Sequence, residues 1–183
     1  MRVPFSLLAT ATFAASVTSV ANAEVISAAA AGLEVRESAH VAVPPARAFD
    51  EFAGHVGQWW SNAHTWSGSA KNLSIHASAG GCFCERLPHA GSVEHLRVVF
   101  VRPGSELSMS GGLGPLQSMG FFGVMHVAFT AQGNGTDVTL TYRVHGYDAK
   151  GAEHLAPMVD GMLSETLKRY QRFADTGDPE IKR

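Results

Sequence analysis

The chain has 183 residues, of which 45% are hydrophobic and 16% are charged, and its formal net charge is −2. This length and apolar fraction suit one domain with one sizeable hydrophobic core. The balance is slightly acidic, and no cluster of lysine and arginine provides an electrostatic footprint for nucleic acid. We therefore expect no nucleic-acid partner.

The first 23 residues have the pattern of a secretory signal peptide. A positive start at Arg2 precedes an uncharged, largely apolar run, VPFSLLATATFAASVTSV, and ANA supplies the small residues that a signal peptidase reads. The pattern predicts cleavage after Ala23. A membrane anchor is the alternative, but serine and threonine dilute the run. We expect an exported protein, periplasmic or secreted, with no stable membrane anchor after cleavage and a flexible leader at 24–32.

Alternating apolar and polar residues predict a strand in LEVRESAHVAV at 33–43, although Glu37 interrupts its apolar face. Pro44 and Pro45 end this strand, and short helices follow in ARAFDEFAGHVGQWW. Further strands are predicted in KNLSIHA, GGCFCERLP, SVEHLRVVFVRP, SELSMS, GVMHVAFTA and TDVTLTYRVHGY. QGNGT, between the last two, is a strong hairpin signal because Asn-Gly accepts the positive φ of a tight turn. The pattern indicates an antiparallel sheet with one dry face.

From Leu155 to Phe173, apolar residues recur three or four apart, which predicts an amphipathic helix of about four to five turns. Gly177 is placed to end it. Because the dry face of the sheet must be covered, this helix is expected to lie on it. The predicted class is α+β, a curved antiparallel sheet of about six to seven strands around a long C-terminal helix, with short helices after the first strand. The domain spans 33–176 and a tail follows at 177–183.

The order of elements and three motifs resemble the START-like (SRPBCC) helix-grip superfamily. The motifs are VAVPPARAFDEF, the WW pair at Trp59 and Trp60, and GGCFCE at 80–85. The last is similar to the Gly-Gly that opens a central strand in the branch of activator of heat-shock-protein-90 ATPase homologues, often termed polyketide-cyclase-like. The match covers 35–174 and implies a fold with an internal apolar cavity. It implies little about chemistry, because relatives include lipid carriers, hormone receptors, cyclases, co-chaperones and oxygenase subunits. An exported chain is not expected to meet a cytosolic chaperone partner.

Two cysteines, Cys82 and Cys84, stand two apart on a predicted strand, so their side chains share a face. They are candidate metal ligands with His64 and His76, but the spacing is not that of a zinc site, and copper(I) is the metal that soft thiolates suit best. An oxidising compartment favours a disulfide. In a flat strand, however, the two Cα atoms are about 6.6 Å apart and the Cβ atoms are too far apart, unless a bulge intervenes. We expect two free thiols.

Aromatic and flexible apolar residues predict a site for a small apolar molecule between the sheet and the C-terminal helix, with no cofactor. The tryptophans form either a core plug or a pocket rim, and the glycine-rich segment GGLGPLQSMGFFG at 111–123 suits a lid rather than a phosphate loop. The predicted lining residues are Trp59, Trp60, Trp66, Phe83, Met119, Phe121, Phe122, Met125, Phe129, Tyr142, Met158 and Met162. Glu37 and Arg97 are predicted to orient the bound molecule.

Two other functions remain open. One is a cyclase- or hydratase-like enzyme that uses the same cavity, with Glu85 or His95 as its base. No nucleophile elbow and no Ser-His-Asp order accompany these residues, so binding rather than catalysis is the leading interpretation. The other is a thiol- or metal-handling protein that acts through the two cysteines. Glu37 has a further interpretation as a structural group paired with Arg97 or Arg143, because a buried carboxylate needs a partner.

Overall fold

The computed structural model describes residues 22–181, with side chains described for 24–181. Residues 1–21, which hold nearly all of the predicted signal peptide, lie outside this range. Within it, no helix combines the length and the apolarity that crossing a membrane requires.

Eight strands in the described part of the chain form one antiparallel sheet. They are β1 (Asn22–Ala29), β2 (Gly32–Val41), β3 (Leu73–Ile75), β4 (Cys82–Arg86), β5 (Ser92–Arg102), β6 (Glu106–Gly111), β7 (Phe122–Gln132) and β8 (Gly135–His145). Their order across the sheet is β1-β2-β8-β7-β6-β5-β4-β3. The helices are α1 (Pro45–Gly54), α2 (Val56–Trp59), α3 (Pro115–Ser118) and α4 (Ala156–Thr176). The predicted α+β class, a curved antiparallel sheet with a long C-terminal helix, is confirmed.

Strand β1 differs from the flexible leader that the sequence predicts at 24–32. A short turn at Ala30 and Ala31 folds β1 back onto β2, and Val25 lies opposite Val35. Alanine has a low β propensity, so this alanine-rich composition indicates a loose segment. Pairing with β2 instead satisfies the backbone groups and makes β1 an edge strand of the sheet. The predicted cleavage position after Ala23 falls near the start of this strand.

Helix α4 covers the inner face of the sheet and packs on β2 and β1. Its apolar residues point to the sheet at the predicted spacing, and Leu163, Leu167 and Tyr170 are at most 1% exposed. Full burial of a leucine side chain contributes about 2 kcal/mol, so this face holds the helix in place. Gly177 ends α4 in the left-handed conformation, and its N–H donates to the carbonyl of Phe173 at 2.7 Å.

An aromatic cluster joins α1, α2 and α4 at one end of the core. Trp59 is fully buried, and its ring centroid lies 5.0 Å from that of Phe52 and 5.4 Å from that of Tyr170. The indole N–H of Trp59 donates to the carbonyl of Glu51 at 3.0 Å, and the hydroxyl of Tyr170 donates to the carbonyl of Ala48 at 2.7 Å. Trp59 is therefore part of a core plug that fixes the short helices to α4.

Candidate ligand-binding site

A cavity of about 260 Å³ opens between the loop after α2, strands β4 and β5, the glycine-rich segment and α4. It is lined by Trp60, Ala63, His64, Thr65, Trp66, Phe83, His95, Leu113, Gly114, Pro115 and Met162. Four of the twelve predicted lining residues meet here, namely Trp60, Trp66, Phe83 and Met162. The lining is aromatic and apolar, with few polar groups, as in sites for small molecules.

The loop after α2 holds its aromatic side chains through local hydrogen bonds. The indole N–H of Trp60 donates to the carbonyl of His64 at 2.9 Å, and the Trp60 ring packs edge-on against Phe83 at 5.1 Å. The side-chain oxygen of Asn62 accepts from the backbone N–H of Ala70 at 2.8 Å, which fixes the loop to the next turn. Trp66, 56% exposed, is the aromatic residue at the mouth of the cavity. These contacts give the cavity a preformed aromatic wall.

A buried carboxylate–imidazole pair lies against the cavity. Glu85 and His95 are 1% and 4% exposed, and His95 Nε2 lies 3.0 Å from Glu85 Oε2. The backbone N–H groups of Trp66 and Ser67 also donate to the Glu85 carboxylate. Burial acts to raise the pKa of Glu85, but the hydrogen bonds from Ser67, Trp66 and His95 outweigh burial and hold it below its usual value of 4.5. Glu85 is therefore ionised at neutral pH.

The ionised Glu85 fixes the tautomer of His95. A carboxylate only accepts hydrogen bonds, so His95 Nε2 carries the proton and donates it. In the neutral ring, Nδ1 is then an acceptor. This nitrogen is buried and has no hydrogen-bond partner within residues 22–181. An unpaired buried polar atom is costly, so a hydrogen-bond donor placed on Nδ1 would remove that cost.

A β-bulge explains how His95 reaches the cavity. Phe83 pairs with Leu96 and Cys84 pairs with Glu94, so His95 is the extra residue of β5. Both His95 and Leu96 are consequently buried, although neighbours on a regular strand face opposite sides. The apolar run EHLRVVFV gives no sign of this bulge, and the inward orientation of His95 is therefore not predictable from alternation.

The glycine-rich segment closes the cavity as an anchored wall. The backbone N–H of Leu113 donates to the hydroxyl of Tyr142 at 3.0 Å, and this hydroxyl donates to the carbonyl of Gly111 at 2.9 Å. Burial raises the pKa of Tyr142 to about 12, so the hydroxyl keeps its proton. Leu116 and Phe121 are buried, which ties the rest of the segment to the core.

Several solved structures are similar to this chain and share its architecture at low sequence identity. EF2215, a conserved protein of unknown function from Enterococcus faecalis, superposes with a TM-score of 0.58 and 11% identity, covering 88% of this chain and 82% of its own. CalU16 from Micromonospora echinospora gives 0.57 and 10%, covering 87% and 88%. The Aha1 dimer from Colwellia psychrerythraea gives 0.55 and 13%, covering 79% and 97%. The chain has the helix-grip fold. No protein-family model and no curated protein matches the sequence.

The helix-grip sheet places the remaining predicted lining residues outside the cavity. Met125, Phe129 and Tyr142 are buried in the core with Trp59 and do not line the cavity, and Phe129 packs against Phe49 of α1. Phe121 and Phe122 border a separate groove beside β5 and β6. Met119 and Met158 are 36% and 51% exposed. Six cavity residues were missed, Ala63, His64, Thr65, Leu113, Gly114 and Pro115. In the sequence, the only feature that indicates these residues is their position between the tryptophans or within the glycine-rich segment.

Glu37 lies beneath α4 of the helix-grip fold rather than in the cavity. It is 1% exposed and lies beside Asp160 and Ser164 of the helix, and its Oε1 has no hydrogen-bond partner within residues 22–181. Burial is the main cause that raises the pKa of Glu37 to about 8, and the negative charge of Asp160 adds to it, while Ser164 and Lys168 act in the opposite direction. Glu37 therefore keeps its proton at neutral pH and has no access to a ligand in the cavity.

The two arginines predicted as partners of Glu37 lie on the outer face of the sheet. Arg97 Nη2 is 2.6 Å from a carboxylate oxygen of Glu94, and Arg97 Nη1 donates to the carbonyl of Gly80 at 3.2 Å. Arg143 Nε is 2.8 Å from the carboxylate of Glu34. The prediction that Arg97 orients a bound molecule in the cavity is not supported by this position, and neither arginine contacts Glu37.

Cys82 and Cys84 form a disulfide, so the expectation of two free thiols is wrong. Their Cα atoms are 5.4 Å apart, closer than the distance of about 6.6 Å in a flat strand, and β5 has its bulge opposite this part of β4. Glu94 has a carboxylate oxygen within 4.8 Å of both sulfurs, which makes a group of three potential metal ligands. In the disulfide the sulfurs are not thiolates, and thiolates are what bind metal. His64 lies at the cavity instead.

Proposed function

We propose that this protein binds a small, largely apolar ring compound that carries a hydrogen-bond donor, such as a phenol or an enol. The unpartnered Nδ1 of His95, in a cavity whose other lining residues are mostly apolar, is the observation that supports it. A volume of about 260 Å³ lies below the range for drug-sized ligands, so one or two fused rings are the appropriate size.

The affinity of such a ligand has two sources. Contact with Trp60, Trp66 and Phe83 buries its apolar surface, at about 25 cal/mol per Å² before the costs of ordering. The donor then pairs with His95 Nδ1. A net hydrogen bond is worth about 1 kcal/mol, which corresponds to about a fivefold preference over the same ring without the donor.

Titration with matched probes tests this proposal. Quenching of tryptophan fluorescence is measured for 2-naphthol and for naphthalene, with the native protein and with His95→Phe, which keeps an aromatic ring but removes the acceptor. We expect 2-naphthol to bind about fivefold more tightly than naphthalene to the native protein, and the preference to vanish in His95→Phe. Equal affinities in the native protein, or a preference that survives the substitution, would contradict it.

General acid–base catalysis in the same cavity is a second candidate, and the Glu85–His95 pair favours it. A carboxylate that orients an imidazole is an arrangement that lets the free nitrogen take a proton, since the carboxylate stabilises the imidazolium. A cyclic ketone with an acidic C–H suits this chemistry. Proton exchange of cyclohexanone with deuterated water, followed by NMR, is the test. Acceleration that Glu85→Gln abolishes would support catalysis, and no acceleration would leave binding as the function.

Export and the choice of branch within the superfamily belong to the same proposal. The pattern of the first 23 residues supports export, and a disulfide fits an oxidising compartment. The GGCFCE motif and the likeness to CalU16 and Aha1 structures support a polyketide-cyclase-like branch. Cell fractionation with mass measurement of the recovered chain tests export. A full-length chain in the cytosol would contradict it.

A further inference from the structure

The Cys82–Cys84 disulfide lies on the outer face of the sheet, on the opposite side from the cavity. Phe83, between the two cysteines, faces the cavity, and side chains alternate along β4. Both cysteines are partly exposed. The bond closes a ring of only three residues, and the stabilisation from a disulfide grows with the length of the loop that it closes. This disulfide therefore adds little to the stability of the fold, and its sulfurs are accessible to thiols.

A fixed charge pair lies beside the sulfurs. The carboxylate of Glu94 is within 4.8 Å of both Sγ atoms, and Arg97 holds this carboxylate at 2.6 Å while it also donates to the carbonyl of Gly80. A carboxylate held next to a disulfide can accept the proton of an incoming thiol, which reacts only as the thiolate.

A groove of about 430 Å³ begins at this charge pair. It runs from Glu94 and Arg97 along the glycines after β6 to Phe122, whose ring is 51% exposed. A Cβ atom at Gly112 would lie 2.5 Å from the carbonyl oxygen of Phe121, so the backbone packs closely at this buried glycine. A groove with a charge pair at one end and an exposed aromatic ring at the other suits an extended polypeptide better than a small thiol.

We propose that Cys82–Cys84 is a redox-active disulfide that oxidises a pair of thiols in a cysteine-containing polypeptide bound in this groove. Glu94 takes the proton from the first substrate thiol. The substrate thiolate attacks one Sγ, the Cys82–Cys84 bond breaks, and the other cysteine leaves as a thiolate that recovers the proton. The second substrate thiol then loses its proton as its sulfur attacks the mixed disulfide, and the first cysteine is released and takes up that proton. The substrate gains a disulfide, and Cys82 and Cys84 each become a thiol.

Redox titration of the full chain is the first part of the test. The fraction of oxidised protein is measured by mass spectrometry after alkylation, in glutathione buffers of increasing reducing strength. We expect half reduction within the range that glutathione pools span, whereas structural disulfides resist them. The double variant Cys82→Ser/Cys84→Ser should melt within a few degrees of the native protein. A disulfide that stays oxidised throughout, or a large loss of melting temperature, would overturn the proposal.

Single-turnover kinetics with a synthetic peptide that carries two cysteines form the second part. We expect Glu94→Gln to slow oxidation of the peptide by about tenfold or more. Phe122→Ser should slow oxidation of the peptide by about tenfold and leave the reaction with dithiothreitol unchanged. If Phe122→Ser slows both reactions or neither, the groove does not bind a polypeptide substrate. If Glu94→Gln oxidises the peptide at the native rate, Glu94 is not the proton acceptor.

Discussion

Glu37 gives the sharpest prediction about stability, because its carboxyl group is buried beneath α4 beside Asp160. The perturbation is Glu37→Gln, which keeps the size of the side chain and replaces the titrating group with a neutral amide. Ser164 of α4 lies beside this side chain in both proteins. Any difference in pH dependence between the two proteins then reports on the ionisation of Glu37.

The size of the effect follows from the pKa of Glu37, which rises from 4.5 to about 8 on folding. A group whose pKa is raised in the folded state contributes stability that is complete below the unfolded pKa and is lost as pH rises through the folded pKa. At about 1.4 kcal/mol per pH unit, the loss between pH 4.5 and pH 8 amounts to about 5 kcal/mol. The pKa of about 8 already includes the opposing effect of the Lys168 charge.

Denaturant unfolding at a series of pH values is the assay. The free energy of unfolding of the native protein should fall relative to that of Glu37→Gln as pH rises from 4.5 to 8, with the variant the more stable protein at pH 8.5. The melting temperatures should then differ by about 10 °C or more in the same direction. Glu34→Gln, on the outer face of the same strand, is the control and should not reproduce this pattern. Parallel pH profiles for the native protein and Glu37→Gln would refute the reasoning.

Three further predictions concern the fold around the cavity. Tyr142→Phe should lower the free energy of unfolding by about 1–3 kcal/mol and speed hydrogen exchange of the amide of Leu113, because that amide loses its acceptor; unchanged exchange would contradict this. Gly81→Ala should destabilise by about 1–3 kcal/mol in denaturant unfolding, since the new Cβ would lie 2.1 Å from a carbonyl oxygen. Gly54→Ala, which meets no atom within 4 Å, is its neutral control. Trp59→Ala should lower the free energy of unfolding by about 3–5 kcal/mol in the same assay. A decrease below about 1 kcal/mol would show that Trp59 is not a core residue.

The elements with a regular period were predictable from the sequence. Strand β8 alternates over its whole length and is buried at Val138, Leu140, Tyr142 and Val144, and α4 follows a spacing of three or four to its end at Gly177. Strand β1 was not predictable in this way, because alanine gives no period and the pairing with β2 depends on tertiary contacts.

The candidate site was less predictable because it depends on irregular backbone. Trp59 ends α2 and points into the core, while Trp60 leaves the helix with an extended backbone and points into the cavity. Adjacent tryptophans in sequence therefore have different surroundings. The bulge at His95 turns its ring inwards, and Cys82 and Cys84 lie on β4 opposite that bulge with their Cα atoms 5.4 Å apart. Neither feature follows from alternation.

The ¹⁵N resonance of His95 Nδ1 tests the central claim most directly, because the claim places a ligand donor on this atom. The spectrum is recorded on the native protein as 2-naphthol is added, with naphthalene as the matched probe. We predict an unprotonated Nδ1 in the free protein and a saturable shift with 2-naphthol that naphthalene does not cause. A protonated Nδ1 in the free protein, or 2-naphthol that binds without moving this resonance, would contradict the account.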